Sequence, residues 1–161
     1  MSRSTAIIAR ERRATTVKLL LVAAVALIDQ DCRVLIAQRP QGKSFAGLWE
    51  FPGGKVELDE RPETALIREL HEELGIAVEE ACLAPFTFAS FAYPDFHLLM
   101  PLYLCRRWKG IVAARENQTL KWVRPQDLRA YPMPPADAPL IPALLDLRRA
   151  APFRTGTGPS I

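Results

Sequence analysis

Gly54-Lys55-Val56-Glu57-Leu58-Asp59-Glu60, then the seven residues Arg61 to Ile67, then Arg68-Glu69-Leu70-His71-Glu72-Glu73-Leu74-Gly75-Ile76 is the stretch that decides the fold. It sets Glu69, Glu72 and Glu73 at i, i+3 and i+4. On a helix those positions share one face, where like charges repel by roughly 0.2–0.5 kcal/mol per pair. A purely structural helix gains nothing from such crowding. A helix that gathers divalent cations does gain, because Mg²⁺ takes hard oxygen ligands. A glutamate-rich face on an arbitrary helix is usually just solvated, so the glutamates alone leave both readings open.

The flanking residues place them on a helix. Pro62 suits a first helical turn, where its missing N–H would be unpaired anyway. Ala65, Leu66, Leu70 and Leu74 recur at helical period as the anchoring stripe. Gly75 stands where a terminator belongs. The spacing predicts a helix of about 12–14 residues.

Outward from this helix, Leu19 to Ile28 and Val34 to Ala37 read as two strands joined by a tight connection at Asp29-Gln30-Asp31. Pro40 to Ala46 reads as a loop, and Leu48 to Phe51 as a short strand stopped by Pro52-Gly53-Gly54. Phe86 to Ala92 and Leu98 to Arg106 read as strands around a turn at Tyr93-Pro94-Asp95, and Leu120 to Val123 as one more. A proline-rich loop from Tyr131 to Pro139 precedes a closing helix from Leu140 to Arg149. Strands interleaved with two helices predict an α/β sandwich with a mixed sheet between helices. The expected organisation is a flexible basic arm over 1–16, one domain over 17–150 and a disordered tail over 151–161.

The glutamate segment resembles the Nudix box, G-x5-E-x7-R-E-U-x-E-E-x-G-U with U apolar. Gly54, Glu60, Arg68, Glu69, Leu70, Glu72, Glu73, Gly75 and Ile76 fill every constrained position. So many fixed identities reverse the odds for the glutamates. The resemblance covers most of the chain and implies a Nudix-type α/β/α sandwich. It implies Mg²⁺, with Mn²⁺ as a substitute, held by Glu69, Glu72 and Glu73, with Glu73 or Glu72 the tightest holder. The Gly53 carbonyl is a further ligand in similar proteins. Gly54, Glu60 and Arg68 would orient these ligands from behind. For Arg68, an i, i+4 pair with Glu72 is the plainer alternative.

Other positions carry the resemblance less tightly. Arg39 matches an arginine that contacts substrate phosphate in MutT-like members; otherwise it is an exposed surface arginine. Glu116 resembles a loop glutamate that joins the metal site or acts as general base; otherwise it is a plain loop carboxylate. Some similar proteins carry a working glutamate directly before the residue matching Trp122, but Lys121 stands there, so the base is open. His97 reads as a hydrogen-bonding histidine rather than a base. Pro134-Pro135-Ala136-Asp137 resembles the segment that reads the base in MutT-type 8-oxo-dGTP pyrophosphohydrolases, where bacterial MutT has Asn. An ionised Asp137 only accepts hydrogen bonds. It suits guanine N1 and N2, or the exocyclic amine of cytosine. Asp137 is equally a natural N-cap for the closing helix. Phe51 and Phe96 are candidates to stack on the base, or core residues.

Composition narrows the partners. A net charge of +3 spread over 161 residues lacks the basic stripe of nucleic-acid binders. It suits a small anionic nucleotide. No apolar run is long enough to span a bilayer. The scattered Cys32, Cys82 and Cys105 read as reduced thiols of a cytoplasmic protein. The oligomeric expectation is a monomer or weak dimer. The activity implied is pyrophosphohydrolysis of 8-oxo-dGTP, with CTP or 5-methyl-dCTP as the alternative substrate. A non-catalytic nucleotide-sensing module is the third choice, and such modules tend to lose a box glutamate, whereas none is missing here.

Overall fold

The computed structural model describes residues 17–150; the expected arm and tail lie outside the described residues. Strand β1 (Leu19–Leu27) is followed by β2 (Val34–Gln38), β3 (Trp49–Glu50), β4 (Gly53–Lys55), helix α1 (Pro62–Leu74), β5 (Ala84–Ala92), β6 (His97–Cys105), β7 (Thr119–Val123) and helix α2 (Ile141–Ala150). The strands form two sheets. One is mixed, in the order β4-β1-β6-β5, with β1 and β6 parallel. The other is antiparallel, in the order β3-β2-β7.

The unbroken apolar run of β1 follows from its place. Its alternate residues face opposite sides, as the pleat requires. Ala23, Val25 and Leu27 pack with Leu66, Leu70 and Leu74 of α1. Ala24 and Ala26 pack with β2, β6, Leu140 just before α2, and Ile141 and Leu144 at its start. A strand buried on both faces loses the polar alternation of a half-exposed one. The two helices thus cover opposite faces, which is the sandwich expected.

Two local expectations change. β1 and β2 do turn tightly, with Asp29 Oδ1 accepting from the N–H groups of Asp31 and Arg33. Beyond the single bridge Ile28–Val34 they part into different sheets. Nor do the glycines after Pro52 end a strand. Gly53–Lys55 is itself β4, paired antiparallel with Val22, Ala23 and Ala24 of β1. Gly53 has φ 153°, and a Cβ there would strike the Ala23 carbonyl oxygen. A breaker by propensity is here the residue that lets two backbones approach.

Helix α1 begins at Pro62 and ends at Gly75, whose φ of 72° is left-handed and whose N–H donates to the His71 carbonyl at 3.0 Å. At its start, Tyr103 Oη donates to Glu63 Oε1 at 2.7 Å, and Arg61 pairs with Glu80. Packing along one face and ties at both ends fix the rotation of α1, and with it the direction of every box glutamate.

Candidate active site

A cavity of about 620 Å³ opens between the sheets. Gly53, Gly54, Lys55, Glu73, Glu116 and Gln118 line one part of it; Phe51, Tyr93, Phe96, Ala136 and Asp137 line another. Arg39, Lys43 and Glu50 also face it. Segments as distant as β4 and the loop before α2 therefore meet around one space.

The carboxylates of α1 fall into different environments. Glu73 points into the cavity and is mostly buried. Burial, then the charges of Glu69, Glu116 and Glu50, push its carboxyl up to about 8, against the opposing pull of the Gly53 N–H. Glu69 lies beneath Gly54, where any Cβ would overlap its carboxyl group. Glu72 is 52% exposed and does not line the cavity. Its position favours Glu73 over Glu72 as the tighter holder of a cation.

Arg68 organises this cluster. Its Nε and Nη2 each donate to Glu60, both at 3.0 Å, and Nη1 donates to Glu69 Oε1 at 2.7 Å. Nη2 also reaches the Lys55 carbonyl at 3.3 Å. Glu72 is only at 3.6 Å. The planar fork thus bridges two carboxylates and ties α1 to the loop, and the i, i+4 pair is its weakest contact. Accordingly the Arg68 pKa is raised and that of Glu60 lowered, in both cases chiefly by their mutual hydrogen bonds.

These residues suit a hard divalent cation. A half-buried carboxylate surrounded by three others is unfavourable without a compensating positive charge. The donor set is all oxygen, as Mg²⁺ or Mn²⁺ takes. Among the described residues, no three His, Cys, Asp or Glu side chains stand ready-grouped as a cage. Glu69 is instead turned toward Arg68.

Arg39 is not the exposed surface arginine of the plainer reading. Its Nη1 donates to Glu50 at 2.8 and 3.0 Å inside the cavity wall, and its Nε donates to the Ser44 carbonyl. Burial raises the Glu50 pKa, while Arg39 lowers it. Glu116 faces Lys43, with 3.5 Å between Oε2 and Nζ. His97 is hydrogen-bonded to Ser90 at 2.8 Å, away from the cavity lining. Lys121 lies over the Tyr131 ring, also outside that lining.

Asp137 does not cap a helix. Its backbone is already helical (φ −82°, ψ −39°), and its side chain makes no capping bond. A short 3-10 turn, Ala138–Leu140, separates it from α2. An N-cap needs an extended backbone that folds the side chain over the first N–H groups. Instead Asp137 is 6% exposed. Its Oδ1 accepts from the Phe51 N–H at 3.4 Å. Burial, then Glu50, push its carboxyl up to about 7. Phe51 is a core residue that also lines the cavity. Phe96 stacks on Tyr93 with centroids 4.8 Å apart.

Sequence reasoning passed over Glu50, Tyr93, Lys43 and Gln118. Glu50 did leave a signal, as a charge inside the apolar run Leu48 to Phe51, where a carboxylate needs a partner. Tyr93 looked like a turn residue because its neighbours are Pro94 and Asp95.

A family model for the NUDIX domain matches residues 23–143. The chain belongs to the Nudix family. A CTP pyrophosphohydrolase of Escherichia coli is 40% identical over 140 residues, covering 79% of this chain and 93% of that protein. An 8-oxo-dGTP diphosphatase of the same organism is 35% identical over 127 residues, covering 79% and 97%. The solution structure of the E. coli ORF135 protein superposes with a TM-score of 0.73 at 38% identity, covering 85% of this chain and 96% of that one. MutT from a study of Aliivibrio salmonicida and Vibrio cholerae gives 0.69 at 34%, covering 81% and 99%. Members of the Nudix family generally need divalent metal ions. Among the described residues no helix is long and apolar enough to cross a membrane.

Proposed function

We propose that this Nudix protein is a Mg²⁺-dependent nucleoside triphosphate pyrophosphohydrolase that converts 8-oxo-dGTP to 8-oxo-dGMP and pyrophosphate, removing an oxidised precursor from the nucleotide pool. The observation that carries this reading is a single cavity lined both by the carboxylate Glu73 beside Gly53 and by the buried acceptor Asp137 beside Phe96. A nucleotide has the same two-part chemistry, a phosphate chain and an aromatic base.

Glu73, Glu69 and the Gly53 carbonyl would hold the cation, with Glu72 completing the set. When bound, Mg²⁺ polarises phosphoryl oxygens and lowers the pKa of a coordinated water. Arg68 holds Glu69 and Glu60 in place. Arg39 and Lys43 supply positive charge beside the phosphate chain. Water attacks the β phosphorus, the bond from that phosphorus to the bridging oxygen breaks, and the nucleoside monophosphate leaves. Glu116 supplies a further carboxylate facing the reacting water. At the base end, Asp137 accepts from guanine N1 and N2 while Phe96 and Phe51 bound the ring. The reading extends to a cytoplasmic enzyme, monomeric or weakly dimeric, acting on small nucleotides rather than polymers.

The 40% identity to a CTP pyrophosphohydrolase supports a second substrate. There the Asp137 carboxylate would take the exocyclic amine of cytosine. Monophosphate release from 8-oxo-dGTP, dGTP, CTP and 5-methyl-dCTP, with Mg²⁺ and with Mn²⁺, tests both. The expected result is kcat/KM for 8-oxo-dGTP above dGTP by about tenfold or more, the worth of one well-made contact to the N7–C8 edge, because N1 and N2 are the same in both bases. Preference for CTP selects the second reading. Equal turnover of 8-oxo-dGTP and dGTP removes the sanitising role.

A further inference from the structure

The loop that carries Glu116 is fastened to the end of α1 by two backbone hydrogen bonds and by one side chain, that of Gln118. Helices leave their last carbonyls without intrahelical partners. Here those of Glu73 and Leu74 are satisfied by the segment 113–118. The Ala113 N–H donates to Leu74 at 3.0 Å, and the Arg115 N–H donates to Glu73 at 3.0 Å. The Gln118 amide donates from Nε2 to the same Glu73 carbonyl at 2.9 Å, while its Oε1 accepts from the Glu116 N–H at 2.8 Å. The chain reverses between them at Asn117, with φ 59°. Gly75 leaves room for the Arg115 guanidinium, which a Cβ would displace. Gln118 is half-buried in the cavity lining, whereas the Glu116 it holds is exposed.

We infer that Gln118 is a positioning residue that sets the Glu116 carboxylate in register with Glu73, by bridging the backbone of one to the backbone of the other. Both hydrogen bonds are needed, because an amide offers one acceptor and one donor arm on a rigid plane. Without the bridge, the Arg115 N–H still ties the loop to Glu73, but the Glu116 side chain beyond it is left to the ion pair with Lys43 at 3.5 Å. The inference rests on the proposed role of Glu116.

A double-mutant cycle separates the alternatives. Gln118→Met keeps length and volume and removes both arms. Its expected effect is a fall in kcat of about 10- to 100-fold, the usual cost of losing a residue that orients a ligand. KM for the nucleotide changes little, and affinity for Mn²⁺ alone, read by paramagnetic resonance, weakens. The Glu116 amide, hydrogen-bonded to Gln118 Oε1 in the parent, exchanges its hydrogen faster in the variant. In a Glu116→Gln background the same substitution costs nothing further in kcat. An undiminished Gln118→Met enzyme, or an equal fall in both backgrounds, overturns the inference and leaves the hydrolase reading standing. A Glu116→Gln enzyme with full activity overturns the role of Glu116 itself, and the positioning role with it.

Discussion

The two ends of the cavity are built by different means. At the proposed cation end, Gly53, Gly54, Glu60, Arg68, Glu69 and Glu73 all belong to one segment, β4 through α1. Their geometry follows from a helical repeat, one arginine fork and two glycines. At the proposed base end, Phe51 comes from the stretch between β3 and β4, Tyr93 and Phe96 from the β5–β6 turn, and Asp137 from the loop before α2. The first end is in the main a local object that tertiary packing orients, with Glu116 and Gln118 brought to it by a distant loop. The second exists only once two sheets have closed. Chemistry that must be invariant belongs on the local object; discrimination between substrates can vary with loops.

The largest expected effect lies at the cation end. Glu73→Gln should lower kcat/KM by about 10²- to 10³-fold, since a bound cation supplies several kcal/mol of transition-state stabilisation. The same change should stabilise the cation-free protein at neutral pH, because it removes a carboxyl that burial among Glu69, Glu116 and Glu50 forces to take up a proton. The folded-state pKa of about 8 lies above the ordinary 4.5, so the folded protein binds the proton more tightly. The contribution of Glu73 to stability in EDTA should therefore be complete below pH 4.5 and be lost as pH rises through 8. Mg²⁺ should flatten that slope, and the variant should lack this contribution in EDTA as well. Thermal midpoints against pH, with and without Mg²⁺, measure it. An unchanged slope in Glu73→Gln would detach the buried carboxylate from the cation site.

Next in size is Arg68→Ala, which releases Glu60 and Glu69 together. A loss of about 10- to 100-fold in activity is expected, with weaker Mn²⁺ binding. Arg68→Lys should recover little, because an ammonium cannot make the paired contacts at 3.0 Å to both Glu60 oxygens. Full rescue by lysine would show that charge alone matters and that the fork is incidental.

This contrast also explains what the sequence made legible. The α1 stripe Ala65, Leu66, Leu70 and Leu74 is fully buried, as its period implied, and the helix ends at the predicted glycine. Those are short-range properties. The parting of β1 and β2 into two sheets was not legible, because a tight turn says nothing about whether the flanking strands stay paired. Gly53–Lys55 was missed as a strand because glycine disfavours strands on its own and is needed here only by the nearness of Ala23. Glu50 was missed because its role depends on Arg39 reaching it from beside the neighbouring strand β2, and Tyr93 because a turn sequence does not show that the turn, with Phe96 stacked on Tyr93, folds over a cavity. Asp137 could be singled out by its segment, but whether it caps a helix or faces a cavity turns on one backbone rotation.

The smallest expected effect in rate, and the sharpest in kind, comes from Asp137→Asn. Phosphate chemistry is remote from this side chain, so Mn²⁺ affinity and kcat on the preferred nucleotide should change little. The ratio of kcat/KM between 8-oxo-dGTP and CTP should move by about 5- to 100-fold, corresponding to ~1–3 kcal/mol for a base-edge contact. The direction of the pH effect follows from burial. A folded pKa of about 7, above the ordinary 3.8, means that this carboxyl passes from neutral to charged near neutrality. Its contribution to stability is complete below pH 3.8 and is lost as pH rises through 7, a component that Asn lacks. The neutral acid both donates and accepts, as an amide does, whereas the carboxylate only accepts. Base preference in the parent should therefore drift between pH 6 and 8 while that of Asp137→Asn stays constant. A parent whose preference is flat across that range would place the recognition of the base on Phe96, Tyr93 and the backbone instead, and would leave sensitivity to a single proton with the end that holds Glu73.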